Sequence, residues 1–160
     1  MIQFNFNQDD FSIIKEKAET LYSEITEVYC PYFKEKIVFN TKGIHHLKFK
    51  TDKHARADDD QYVRFKLLHL APEIIKHSGT IQGISKTKLF ENQKTNSRWE
   101  CILKEVTFYE LIAVINNLRC KVIIKEVYPN GKYFWSIIPF WKVKSSNHKR
   151  ILHGGNPETD

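Results

Sequence analysis

Two turns constrain this chain more than any other feature. Asn116-Asn117 and Pro129-Asn130-Gly131 divide an apolar stretch into strand-length segments, 108–115, 118–127 and 132–143. Asparagine and glycine tolerate the positive φ that tight hairpins need, so these segments should pair antiparallel in chain order. A two-residue turn at Asn116-Asn117 pairs Ile115 with Leu118, Tyr109 with Ile124 and Phe108 with Lys125. One face then holds Thr107, Tyr109, Leu111, Ala113, Cys120, Val122 and Ile124, and is coherently apolar. The other holds Phe108, Glu110, Ile112, Arg119, Lys121, Ile123 and Lys125, with a lone carboxylate among three cations.

The second turn admits two registers. A type I turn with Gly131 in a left-handed bulge pairs Tyr128 with Lys132 and Lys125 with Trp135. It sends Tyr133, Trp135 and Trp141 to the basic face and Phe134, Ser136, Ile138 and Phe140 to the core. A strict Asn130-Gly131 turn reverses this and sets Ser136 opposite Lys125, because a one-residue slip exchanges the faces of a strand. The bulged register is preferred, since Pro129 suits it and its core is cleaner.

Upstream, Asp10 can cap a helix whose apolar residues Phe11, Ile14, Ala18, Leu21, Ile25 and Val28 fall on one stripe, ended by Pro31. Lys36–Asn40 reads as a strand, and Ile44–Phe49 as another after a Thr41-Lys42-Gly43 turn. Asp58–Asp60 open a helix through Tyr62, Phe65, Leu68 and Leu70, and Pro72 either breaks it or starts a second helix over 72–76. Thr80–Phe90 and Trp99–Val106 read as further strands. The layout is α+β, with N-terminal helices packed on one face of an antiparallel sheet of four or more strands. Residues 1–144 form a single domain, and 145–160 a polar, loosely attached tail.

Hydrophobic residues make up 41% of 160, enough for one globular core. No apolar run approaches the ~18 residues of a membrane span. No signal peptide is evident. Cys30, Cys101 and Cys120 are odd in number and lack C-x-x-C spacing, against a disulfide framework or zinc knuckle. A cytoplasmic protein without metal or cofactor is expected. The net charge of +6 favours acidic partners, and cations concentrate between Lys34 and Arg56 together with His45, His46 and His54.

Cations beside flat rings suit a nucleic acid, the cations neutralising phosphates and the rings stacking on bases. The bland alternative is a hairpin whose aromatics are core and whose lysines are solvated. Metal-independent RNA cleavage needs a base for the ribose 2′-OH, an acid for the leaving oxygen and cations for the phosphorane. His46 can serve as acid or base. His45 and His46, on a strand, would face opposite ways, so one of them at most joins a site. Arg64 and Lys125 are candidate phosphate stabilisers, Glu110 a carboxylate base or a salt-bridge partner, and Ser136 an assisting hydroxyl. Arg56, Lys66, Arg119 and Lys121 can contact phosphate, and Trp135 or Trp141 can stack a base. Asp58-Asp59-Asp60 reads as a helix N-terminal charge cluster rather than a magnesium site. His69 and His77 lack zinc-ligand spacing.

Gly43-Ile44-His45-His46, Val63-Arg64-Phe65-Lys66-Leu67-Leu68, Ala71-Pro72-Glu73-Ile74-Ile75 and the ending Lys121–Lys125 through Phe134–Pro139 resemble small phage and toxin nucleases of the barnase–EndoU–colicin–RelE (BECR) fold. The resemblance covers roughly residues 33–143. It implies helices on one face of an antiparallel sheet and an open face for RNA. It further implies a metal-independent ribonuclease acting on RNA, tRNA among the candidates, and neutralised by an antitoxin or immunity protein. Its histidine would match His46, or His45, its helical arginine Arg64, and its last-strand hydroxyl Ser136. That last match conflicts with the preferred register, which buries Ser136 in the core. The competing expectations are a non-catalytic nucleic-acid-binding module and a protein-interaction domain.

Overall fold

The computed structural model describes residues 5–143, 150–152 and 155–160. In chain order the elements are α1 (Gln8–Glu24), β1 (Glu27–Cys30), β2 (Glu35–Val38), α2 (Thr41–Lys48), β3 (Phe49–Thr51), β4 (His54–Ala55) and α3 (Asp58–Leu67). A 3-10 turn (Leu68–Leu70), α4 (Ala71–Lys76), β5 (Gly83–Thr95), β6 (Arg98–Ile115), β7 (Leu118–Val127), β8 (Lys132–Pro139), β9 (Trp141–Val143) and β10 (Arg150–Leu152) follow. The class is α+β as expected. The main sheet, ordered β1-β2-β8-β7-β6-β5, is mixed rather than purely antiparallel, because β2 joins β8 in parallel at Val38↔Tyr133.

The first turn folds as its residues dictate. Asn116 and Asn117 sit at φ 51° and 62°, and Ile115 pairs Leu118 with Tyr109 opposite Ile124. The apolar face this creates meets the helices, where Leu111, Val122, Ile124, Phe134 and Ile137 pack with Ala18, Tyr22, Phe65, Leu68 and Ile75. Phe39 stacks on Phe134 at 4.7 Å.

Several local expectations are corrected. Asn7, not Asp10, caps α1, accepting from Asp9 N at 3.0 Å, and the helix ends at Glu24, leaving Val28 to a strand. The stretch read as a strand from Ile44 is a helix. Asn40 Oδ1 accepts from Lys42 N at 3.1 Å and Gly43 N at 3.3 Å, a cap that fixes α2. Pro72 opens α4. The segments split at Thr107 form one strand, β6, since nothing there interrupts the alternation.

The long hairpin β5–β6 turns at Asn96-Ser97, with φ 48° and 68°, a turn that sequence reading passed over. Its outer part, from Lys88↔Glu105 to Thr95↔Arg98, extends past the first β6–β7 pair, Val106↔Val127, as a two-stranded ribbon. Glu91 stands six residues beyond Ser85, the partner of Phe108, about 20 Å along a straight strand. Glu91 nevertheless contacts Lys125, opposite Phe108, at 2.6 Å. The ribbon therefore coils back over the face away from the helices, where Leu89 packs on Val106, Phe108, Ile123, Val127 and Tyr133. The face expected to be open is partly roofed by the chain's own hairpin.

Candidate functional site

The register of β8 is neither of the two anticipated. Glu126 pairs Lys132, Lys125 pairs Tyr133 and Ile124 pairs Phe134, then Ile123 pairs Ser136, so Trp135 is the extra residue of a bulge. A bulge leaves two consecutive side chains on the same side. Trp135 and Ser136 therefore both turn to the basic face, which removes the conflict over Ser136. Placing Ser136 in the helix-side core is corrected, and Ile137 takes that position.

Around this bulge, α2, α3 and the loop between β4 and α3 bring four polar side chains together. Gly43 lets α2 lie against β8, for a Cβ there would fall 2.5 Å from Phe134 O and 2.3 Å from Tyr22 Oη. The helix thus sets the His46 ring on the Trp135 indole, centroids 3.9 Å apart and planes 17° apart. Arg64 and Arg56 are 1% and 2% exposed, and Asp60 clamps both: its Oδ1 accepts from Arg64 Nε at 2.9 Å, its Oδ2 from Arg56 Nη1 at 3.2 Å. Arg56 also donates through Nε to His46 O at 2.8 Å and through Nη2 to His46 Nε2 at 2.9 Å. A guanidinium has no acceptor, so Nε2 is the lone-pair nitrogen and the ring proton sits on Nδ1. Burial first, then the charges of Arg56 and Arg64, push the His46 pKa down to about 2.

These groups converge on one atom, the main-chain oxygen of Asp160. Arg64 Nη1 donates to it at 2.6 Å, Ser136 Oγ at 2.9 Å and Arg56 Nη2 at 3.3 Å, while His46 Nε2 stands 3.3 Å away. Arg64 Nη1 also reaches Ser136 Oγ at 2.6 Å. Arg56 Nη2 donates to Thr159 O at 3.0 Å, and Trp135 Nε1 to Pro157 O and Glu158 O at 3.1 and 3.3 Å. The expectation of a loosely attached tail is thus corrected for 156–160, and β10 pairs with β9.

The structure brings His46, Arg56, Arg64, Trp135 and Ser136 into contact, with Lys125 Nζ 4.2 Å from the Trp135 ring. Lys121 and Lys125 share the face as anticipated, but both are buried and paired, Lys121 to Glu110 at 3.3 Å and Lys125 to Glu91 at 2.6 Å. Glu110 is therefore the salt-bridge partner of the two alternatives, and the face carries a second carboxylate. Arg119 lies over the Phe140 ring at 3.9 Å. His45 is outside the cluster, exposed, stacked on Phe49 and 3.6 Å from Asp52. Lys66 is about 200° round the helix from Arg64, over Tyr62 at 4.6 Å. Trp141 belongs to β9, and its side chain is outside the described part of the structure.

Sequence reading missed Asp60, Glu91 and the segment 156–160. Asp60 had a signal, since it stands four residues from Arg64 on the same helix and four from Arg56 just before it. Glu91 had none, because its contact depends on how far the ribbon coils.

Among the described residues, no cluster of three His, Cys, Asp or Glu side chains could hold a metal ion, and no helix is long and apolar enough to cross a membrane. Cys30, Cys101 and Cys120 are free thiols. No family model, curated protein or solved structure matches the chain.

Proposed function

We propose that the protein is a metal-independent endoribonuclease of toxin or phage-effector type, cleaving RNA by attack of the ribose 2′-OH. The observation that carries this reading is the convergence of Arg56, Arg64 and Ser136 on a single oxygen beside a neutral imidazole. Preorganised, charge-assisted donors aimed at one oxygen are what a phosphorane in a water-poor site requires. In this reading Arg64 and Arg56 hold non-bridging phosphate oxygens, Ser136 adds a third donor, and Asp60 fixes both guanidinium planes. A neutral His46 has no proton to give as an acid, and its role as base requires that Arg56 Nη2 release Nε2 and that an entering phosphate offset the neighbouring guanidinium charges, so that Nε2 can accept the 2′-OH proton. Trp135, at the rim, offers an indole edge to a base. Lys125 acts through its charge on the same ring.

Single-turnover incubation with total tRNA in excess chelator tests this. Strand scission leaving 2′,3′-cyclic phosphate ends is expected, slowed about 100-fold or more by His46→Ala or Arg64→Ala. Scission that survives both substitutions, or requires a divalent ion, refutes the assignment.

A second reading, binding RNA without turnover, is favoured by the low basicity of His46. It gives salt-sensitive retention of RNA with no new ends.

A further inference from the structure

We propose that Asn156–Asp160 is an intrasteric cover, seated in an oxyanion site of Arg56, Arg64 and Ser136 whose exchangeable ligand is a phosphate group. The proposal rests on reading this cluster as phosphate-binding, and adds what keeps it closed.

Arg64 Nη1, Ser136 Oγ and Arg56 Nη2 all donate to the main-chain oxygen of Asp160, with His46 Nε2 alongside. An sp2 oxygen has two lone pairs in its plane, so three donors over-subscribe it. A tetrahedral oxyanion spreads the same donors over several oxygens. Two buried guanidiniums share one directly hydrogen-bonded carboxylate, Asp60, and the seated segment brings a second one within reach of both, the Asp160 carboxyl, whose Oδ2 is buried without a hydrogen-bond partner. A phosphate in its place would bring negative charge and hydrogen-bond acceptors to the same donors.

The segment is also built as a detachable unit. Asn156 O accepts from Thr159 N at 3.1 Å and Asp160 N at 2.9 Å, and Asn156 Oδ1 accepts from Glu158 N at 3.1 Å. This is a self-contained turn that presents Asp160 end-on. Neither buried apolar cluster includes any of its residues, so its departure leaves the core complete. While seated, it uses the donors that a substrate phosphate would need.

The full-length Asn156→Ala/Pro157→Gly variant removes the side-chain cap and the restricted φ without touching the donor groups. Calorimetry with inorganic phosphate should give an affinity at least 10-fold tighter than in the parent chain. Trp135→Phe, which removes the donor to Pro157 O and Glu158 O, should move it the same way. Equal or weaker phosphate affinity in both variants overturns the proposal and makes the segment a component of the site. RNA assays separate this from the nuclease reading. Tighter phosphate without cleavage retains the cover and removes the ribonuclease. Equal phosphate affinity with equal cleavage retains the ribonuclease and removes the cover.

Discussion

At the scale of single residues, the site is governed by the cost of burying charge. Arg64 is 1% exposed yet tolerated, because Asp60, Ser136 and a main-chain oxygen accept its hydrogen bonds. His46 meets the opposite constraint. Loss of water, then two neighbouring guanidiniums, keep its ring neutral, with a pKa pushed down to about 2 from an ordinary 6.5. Between those values the unfolded chain binds a proton that the folded chain refuses, so acid favours unfolding. The contribution is complete above pH 6.5 and is lost as the pH falls towards 2. From pH 7.5 to 5.0 the parent chain should lose about 2 kcal/mol more stability than His46→Gln, read from urea midpoints. Parallel slopes would show that the ring is not held neutral. The residue identities were legible in the sequence, including His46, Arg64 and Ser136. Their protonation states were not, since each depends on neighbours up to 114 positions away.

At the scale of elements, two contacts position the site, the approach of α2 to β8 and the bulge at Trp135. Gly43 permits the first, where an added methyl would meet Tyr22 Oη and a Phe134 carbonyl. Gly43→Ala should cost about 1–3 kcal/mol, the usual range for overpacking. Adding Tyr22→Phe should recover part of it, because the side-chain obstacle goes while the carbonyl stays. A melting temperature unchanged by Gly43→Ala would mean that α2 does not lie this close. The helix itself was misread as a strand. Ile44, Leu47 and Phe49 alternate poorly with either period, and the deciding cap is a single Asn40 side chain. The bulge was invisible because one anticipated register placed an irregularity at the turn and the other had none, whereas the structure places it inside β8.

At the scale of the whole molecule, the sheet has one face under helices and the other under a coiled ribbon pinned by Glu91 to Lys125 and, at 3.9 Å, to Lys42. Glu91→Ala would strand a Lys125 side chain that is 6% exposed, at a cost of about 3 kcal/mol. Amides from Lys88 to Glu105 should then exchange faster while those of β7 keep their protection. Unchanged ribbon exchange would show that the ion pair does not hold it. By itself the sequence determined what is local or periodic. The Asn116-Asn117 register, the α1 stripe, the α+β class and the gathering of Lys121 and Lys125 on one face follow from turn chemistry and the two-residue period of a strand. Only the tertiary structure decided that those lysines are neutralised, that the sheet face is roofed and that Asp160 sits among the arginines. Those outcomes depend on strand coiling and chain return, where contact between distant residues is set by the shape of everything between them.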